Sequence, residues 1–541
     1  MLVLYKRWLF IISLFILMLS SGCSEPQLPS GLVYCSEGNP ESFNPQQVTS
    51  GTTIDATSHQ LYNRLIDYDP ETKQFAPQLA TQWSISEDGL SYKFELRQHV
   101  TFHNSHLFTP TRFFNADDVL FSFNRIIDPN NAYHHVGRNG YPYFQSINFS
   151  QLISSIEKVN EFEVIFHLNH KDASFMFNLA TDFAVILSKE YADNLLLAGT
   201  PEDIDYFAIG TGPFKLHQYV KNDHIRYHRH TSYWGPKVDT QQLVFDITPN
   251  STSRFTKLIT GDCNVSALPR PAELSVITTQ PNIRVVKNPG LNVAFWAFNT
   301  QKPPFNDLRV RQALAHAINK KKILSVVYNN SAVEASGVLP PASWAYSKHF
   351  DNNEYDPQKA KALLKKAHVT DLSIDIWAMP VARTYNPNAI KMAELIQEDL
   401  ANIGVKANII SYDWSVFTQK LAKTDYDSVL IGWNADNNDP DNFFTPILSC
   451  SALASKNNYS RWCNIGFDHI LAKAREQTEQ FKRQPYFQAA EAMISNQVPI
   501  VPIAHAQKVV LKDKSITNLH VRPYGGISFA QTTQTSTKDK Q

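Results

Sequence analysis

Apolar and polar side chains alternate between residues 90 and 97. Leu90, Tyr92, Phe94 and Leu96 interleave with Ser91, Lys93, Glu95 and Arg97. A period of two marks a strand with one face buried. Residues 161–168 repeat the pattern, and 116–126 between them fit a helix. Beyond about residue 290 the pattern changes to alternating helices and strands. Val310, Ala313, Leu314, Ala317, Ile318 and Leu324 fall on one helical face. Asp356 followed by Pro357 opens a further helix. The carboxylate caps free N–H groups, and proline loses no hydrogen bond in a first turn. Residues 390–403 predict another, closed by Gly404. Strands are predicted over 372–378, 405–411 and 428–433, so this part reads as an α/β lobe. Two strongly apolar segments, 291–299 and 500–505, fit strands that link lobes. The tail 531–541 has no apolar residue and is expected to be loose.

The start of the chain bears on compartment. Lys6 and Arg7 precede a run of apolar residues, 8–19, broken only by Ser13, and small residues follow up to Cys23. As a helix this run reaches roughly 18 Å, against about 30 Å of bilayer hydrocarbon. It therefore reads as a secretory signal, 1–22, rather than a membrane anchor. Ser20-Ser21-Gly22-Cys23 resembles a bacterial lipidation site, although the usual leucine lies one position too early. Lipidation at Cys23 and an ordinary cleaved signal both stay open. Four further cysteines, Cys35, Cys263, Cys450 and Cys463, suit two disulfides in an oxidising compartment. The Cys450–Cys463 loop is short enough to close locally, which leaves Cys35 with Cys263.

The chain has 541 residues, too many for one core, so two or three lobes are expected. Its 50 basic and 50 acidic residues become 48 against 50 without the signal, which leaves no electrostatic footprint for nucleic acid.

Common local catalytic signatures, among them G-x-S-x-G and H-E-x-x-H, are missing. On a strand His224, His228 and His230 would share a face, as a metal site or a solvated face. His134-His135 is a weaker pair in a loop. The segment Asp436-Asn437-Asn438-Asp439-Pro440-Asp441-Asn442 packs three carboxylates after an apolar strand. It admits three readings. One is a calcium loop, though without the glycine and glutamate of an EF-hand. Another is a solvated turn, and the third is an acidic ligand site at the carboxyl ends of the strands.

Several ordered blocks resemble the peptide-binding proteins of bacterial ABC importers, over about residues 31–530. L-V-Y-C-S-E-G-N-P-E-S-F-N-P-Q at 32–46, T-S-G-T-T at 49–53 and I-G-T-G-P-F at 209–214 carry the resemblance. W-A-M-P-V-A-R-T-Y-N-P-N at 377–388 and W-N-A-D-N-N-D-P-D-N-F-F at 433–444 complete it. Within that class the opening block looks like the dipeptide binder, which in some bacteria also takes haem. P-A-S-W-A-Y at 341–346, D-A-S-F at 172–175 and I-L-S-C at 447–450 look like the Sap type, linked to antimicrobial-peptide resistance. The reading leans to the Sap type.

The resemblance implies an α/β two-lobed clamp with a satellite domain. Lobe I would comprise 31–62, 213–290 and 506–530, the satellite 63–212 and lobe II 291–505. It implies the disulfides Cys35–Cys263 and Cys450–Cys463, no cofactor or metal, and no enzyme activity. It further implies a periplasmic receptor, soluble or lipid-anchored, that works as a monomer with an inner-membrane ABC permease. Its ligands would be short peptides; haem or a nickel chelate in the same clamp, and a secreted hydrolase, are the alternatives.

A buried peptide zwitterion needs a partner for each end. By resemblance Asp436 takes the amine and Arg383 the carboxylate, whose two oxygens a guanidinium fork suits. Thr49, Gly51 and Thr52 would meet the ligand backbone from lobe I. Trp433, Asn434 and Ala435 would line the pocket as a strand partner, with Thr384 and Tyr385 flanking Arg383. Thr384 stands where the dipeptide binder has proline, which bears on the ligand length accepted.

Overall fold

The computed structural model describes residues 31–137, 140–348 and 353–535. The expected signal 1–22 and Cys23 lie outside them. Among the described residues no helix is long and apolar enough to cross a membrane.

A twelve-stranded sheet runs through the molecule. From one edge its order is Lys406–Ile410, Ser373–Ala378, Ser428–Asn434, Asn292–Phe298, Ile500–Asp513, Val265–Ala267, Leu32–Ser36, Gln242–Ile247, His224–Arg229 and Phe214–Val220. Ile283–Pro289 and Ala332–Glu334 pair with Ile500–Asp513 off this path. The 14 residues of Ile500–Asp513 belong to both halves. The start of this strand pairs with Asn292–Phe298, its end with Val265–Ala267 and Ile283–Pro289. At about 3.3 Å per residue it extends roughly 45 Å.

The second connection between the halves runs from Ile283–Pro289 through Gly290 into Asn292–Phe298. Asn292 fastens the two connections together. Its Nδ2 donates to the Ala506 carbonyl at 2.9 Å and its Oδ1 accepts from the Ala506 N–H at 2.9 Å. A Cβ on Gly290 would lie 2.3 Å from that carbonyl, so only glycine fits. These are the apolar segments that the pattern marks as linking strands. Every residue of Asn292–Phe298 is buried, hence the continuous apolar run in place of an alternating one.

In the α/β half Ser373–Ala378 runs parallel to both of its neighbours. Asp356 caps the Pro357–Lys366 helix by accepting from the Lys359 N–H. The apolar face predicted through 310–324 is split. Leu308–Ala317 ends before Ile318, and Asn319 caps a separate helix, Lys320–Tyr328, by accepting from the Lys322 N–H.

A separate antiparallel sheet has the order Ala80–Ile85, Ser91–Leu96, Glu163–Leu168, Ile153–Asn160. Tyr92, Phe94 and Leu96 are buried, as the alternation predicts. The Ala116–Ile127 helix packs there through Phe123, whose ring centroid is 5.2 Å from that of Phe166. Within the tail, residues 533–535 depart from expectation. Thr533–Gln534 pairs with Ile516–Thr517, and the Thr535 N–H donates to the Ser515 carbonyl at 2.9 Å. Backbone pairing of this kind leaves no trace in an apolar pattern.

Cys35 is bonded to Cys263 and Cys450 to Cys463. The first closes a separation of 228 residues, the second 13. Chain-entropy reasoning gives the long loop about 5 kcal/mol and the short one about 3 kcal/mol. Replacing Cys35 and Cys263 by serine should therefore lower the calorimetric melting temperature more than replacing Cys450 and Cys463. The reverse order would refute this account.

The histidines do not converge. His228 stacks on His217 with centroids 4.0 Å apart, His224 sits beside Asp223, and buried His230 lies 3.1 Å from the Gly212 carbonyl. His134 faces the Arg125 carbonyl at 2.8 Å. Among the described residues no three His, Cys, Asp or Glu side chains gather as for a metal.

Candidate functional site

A cavity of about 260 Å³ lies between the two halves of the large sheet, beside the linking strands. Thr49, Gly51, Arg383, Thr384, Tyr385, Trp433, Asn434, Ala435 and Asp436 all line it. Thr52 does not; it is buried in the first turn of the Gly51–Thr57 helix. The lobe II residues share an origin. Residues 383–385, Trp414 and 435–436 follow the strands Ser373–Ala378, Lys406–Ile410 and Ser428–Asn434 respectively, and Trp433 and Asn434 end the last of them. These strands run in one direction, so their carboxyl ends open on the cavity, as ligand sites in α/β sheets do.

The three carboxylates of the acidic loop have different fates. Buried Asp439 is held by Arg483 through two bonds of 2.6 and 2.9 Å. Buried Asp441 accepts from Arg475 at 3.1 Å and from the Thr445 hydroxyl at 2.8 Å. Both are joined to separate arginines, which disposes of the solvated-turn and calcium-loop readings. Asp436 has no cation within ion-pair distance among the described residues. Asn442 fixes it instead: Asn442 Oδ1 accepts from the Asp436 N–H at 3.0 Å, and Asn442 Nδ2 donates to Asp436 Oδ2 at 3.4 Å. The same amide binds Trp433 Nε1–H at 3.1 Å and donates to the Tyr143 hydroxyl at 3.2 Å.

Burial pushes the Asp436 carboxyl well above the usual carboxylate range, and the negative charge of Asp182 adds to this. Asp182 itself is satisfied. Burial opposes its charge, but His59, Arg64 and the Gly526 N–H outweigh that and hold it below the usual range. Asp436 thus lacks one thing, a positive charge in the cavity.

Arg383 lies on a turn closed by its N–H to the Asn386 carbonyl at 2.9 Å and the Asn386 N–H to its own carbonyl at 3.0 Å. Tyr385 anchors the turn. Its carbonyl accepts from the Tyr328 hydroxyl at 2.7 Å, and its ring fills the space where a Gly432 side chain would stand. The guanidinium rests on the Trp414 ring, 4.5 Å from the centroid, a contact worth about 0.5–2 kcal/mol. Among the described residues no carboxylate pairs with it. Among the described residues, the cavity therefore presents a carboxyl without a cation and a guanidinium without a carboxylate.

The lobe I wall adds residues that sequence reasoning missed. Asp55 accepts from the Ile527 N–H at 2.9 Å and from the Tyr34 hydroxyl at 3.2 Å. Burial, then the charge of Glu37, raises its pKa to about 7. Lys508 donates to the Gly525 carbonyl at 2.7 Å; burial lowers its pKa while Asp55 supports its charge. Trp414 was also missed, although its place just after a parallel strand was the available signal. The expected strand partner is corrected in one respect. The Ala435 N–H donates to the Leu291 carbonyl and its carbonyl accepts from the Gly525 N–H, so its backbone is already engaged. Ser373–Ala378 pairs with its neighbour only as far as Leu430, which leaves 431–434 as the open edge.

The sequence profile of the bacterial extracellular solute-binding proteins, family 5 (middle region), matches residues 74–455. The chain is 45% identical over 499 residues to the dipeptide-binding protein of Escherichia coli strain K12, covering 92% of this chain and 93% of that one. It is 39% identical over 501 residues to the peptide transport periplasmic protein SapA of Salmonella typhimurium strain LT2, with 93% and 91% covered. The crystal structure of a dipeptide-binding protein from Pseudoalteromonas sp. SM9913, in complex with Met-Leu, superposes with a TM-score of 0.92 at 47% identity. That match covers 94% of this chain and 100% of the other.

Proposed function

Because the chain belongs to the family 5 bacterial extracellular solute-binding proteins, we propose that it binds short peptides by their charged ends and delivers them to a membrane permease. The observation that carries this reading is a cavity lined by both Asp436 and Arg383, neither of which has an ion-pair partner among the described residues. Asp436 takes the ligand ammonium, for which burial of the carboxylate is otherwise costly. Arg383 takes the carboxylate, its fork meeting both oxygens. The open edge at 431–434 and the residues Thr49 and Gly51 meet the peptide backbone. Side chains remain in the cavity and are read weakly. Closure turns on the two linking strands, between a lobe I of 31–62, 213–290 and 506–530 and a lobe II of 291–505.

Higher identity to the dipeptide binder than to the Sap-type protein favours dipeptides as the first cargo, against the lean to the Sap type. The receptor works as a monomer outside the cytoplasmic membrane, with an ABC permease as partner. Haem is the weaker cargo: of the side chains that ligate its iron, the described residues lining the cavity offer tyrosine but no histidine, cysteine or methionine.

Calorimetry with dialanine, its N-acetyl form and its C-terminal amide tests the reading. Removing either charge should weaken binding by at least about tenfold, with acetylation the more damaging. Equal affinity for all three would exclude recognition by the ends.

A further inference from the structure

A carboxylate without a cation gains by turning outward into water, so the loop that keeps Asp436 enclosed has to be held. The grip comes from another part of the chain. Asn438 Nδ2 donates to the Tyr68 hydroxyl at 3.5 Å, and Asn442 Nδ2 to the Tyr143 hydroxyl at 3.2 Å. The two arginines that pair with the other carboxylates of the loop reach the same side. Arg483, which holds Asp439, donates to the Ser174 hydroxyl at 3.0 Å. Arg475, which holds Asp441, lies 3.6 Å from Asp172, and its carbonyl accepts from the Ala173 N–H at 2.8 Å.

Tyr68, Tyr143, Asp172 and Ser174 are all buried. All four belong to the expected satellite, 63–212, which bears the separate four-stranded sheet. The loop that carries the charge is therefore anchored on the satellite at four points, two of them through an arginine.

Tyr143 makes the contact nearest to Asp436. It lies on the short Pro142–Ser146 helix, fully buried, with its ring centroid 4.6 Å from that of Phe183. Its hydroxyl donates its proton to Asn178 Oδ1 at 2.9 Å, which leaves the oxygen as an acceptor. Only the Nδ2 side of the Asn442 amide can meet an acceptor. The second Nδ2 proton then points to Asp436 Oδ2, and Oδ1 takes the Asp436 N–H and the Trp433 indole N–H. The hydroxyl sets which way the amide lies, and the amide sets the carboxylate.

We propose that the satellite is a working part of the ligand site: Tyr143, acting through Asn442, is the positioning residue that keeps Asp436 turned into the cavity for the ligand ammonium. The proposal rests on the peptide-binding reading above.

Tyr143→Phe removes the hydroxyl and keeps the ring. Calorimetry with dialanine should show a loss of about fivefold, the weight of one net hydrogen bond. Tyr133→Phe is the control, because the buried Tyr133 hydroxyl donates to the Ala192 carbonyl at 2.6 Å within the satellite. It should stay within about twofold of wild type. In the Asp436→Asn background Tyr143→Phe should change dialanine affinity by less than about twofold, since no ion pair is left to position. No loss in the wild-type background, or an equal loss in both backgrounds, overturns the proposal. If Tyr143→Phe does not fold, Ser174→Ala loosens the loop through Arg483 and should show the same dependence on Asp436; an equal loss in both backgrounds overturns the proposal there too. Wild type that binds dialanine and its N-acetyl form alike removes the parent reading as well. Wild type that tells them apart, with Tyr143→Phe matching it on both, overturns the role of Tyr143 alone.

Discussion

Asp436→Asn should stabilise the ligand-free protein and at the same time cost it at least tenfold in dipeptide affinity. The two effects share one cause. The carboxylate is enclosed with only the Asn442 amide and its own backbone contact to steady it, and burial raises its pKa. Asparagine keeps nearly the same shape and still offers Asn442 an acceptor, but carries no charge. Relief of an unsatisfied buried group is worth about 1–3 kcal/mol, and this should appear as a higher melting temperature. A ligand ammonium then loses its ion-pair partner, a change that costs about 2–5 kcal/mol at buried sites.

The pH dependence fixes the sign. A carboxyl whose folded pKa lies above its unfolded value holds its proton more tightly in the folded state. Its contribution to stability is full below the unfolded pKa and is lost as pH rises through the folded one. Asparagine has no such loss. The variant's advantage in melting temperature should therefore widen as pH rises from about 4 to 8. Differential scanning fluorimetry on both proteins measures the gap, and a constant or narrowing gap would contradict the assignment. Wild-type affinity should weaken as pH is lowered over the same range, because the protonated acid cannot pair with an ammonium.

Local physics made much of the fold legible. The alternation at 90–97 needs only a strand with one wet face, and Asp356 needs only the free N–H groups of the helix it begins. The site was harder to read for a definable reason. Seven residues with three carboxylates do not reveal which of them are paired. Arg475 and Arg483 lie 34 and 44 residues beyond their partners, and Ser174, which completes the Arg483 site, is 309 residues away from it. Arg383 taken alone is a polar residue before a turn. Trp414 and the cavity beside it set it apart, and neither is local. Resemblance singled out Asp436 and Arg383 together, but missed Asp55 and Lys508, which come to one cavity wall from opposite ends of the chain.

Arg483→Met should be among the most destabilising substitutions in the molecule. Arg483 is buried and holds Asp439 with two bonds, donates to the Ser174 hydroxyl at 3.0 Å and to the Ala474 carbonyl at 3.2 Å. Methionine fills similar space between Trp344 and Phe487 but leaves the Asp439 charge without its cation. Breaking a buried pair from one side costs about 3–5 kcal/mol, whereas removing both charges is often nearly neutral. Adding Asp439→Asn to Arg483→Met should therefore recover stability, even though a second wild-type group is lost. The carboxamide can still cap the Pro440–Phe443 turn, where Asp439 accepts from the Asp441 N–H at 2.9 Å. The consequence reaches the ligand. Asp439 orients the turn that carries Asn442, and Asn442 positions Asp436, so the single variant should bind dipeptide more weakly although Arg483 does not line the cavity. Thermal melts of the wild type, both single variants and the double variant form the cycle. If the double variant were less stable than Arg483→Met alone, the charge argument would fail and the arginine's worth would lie in packing.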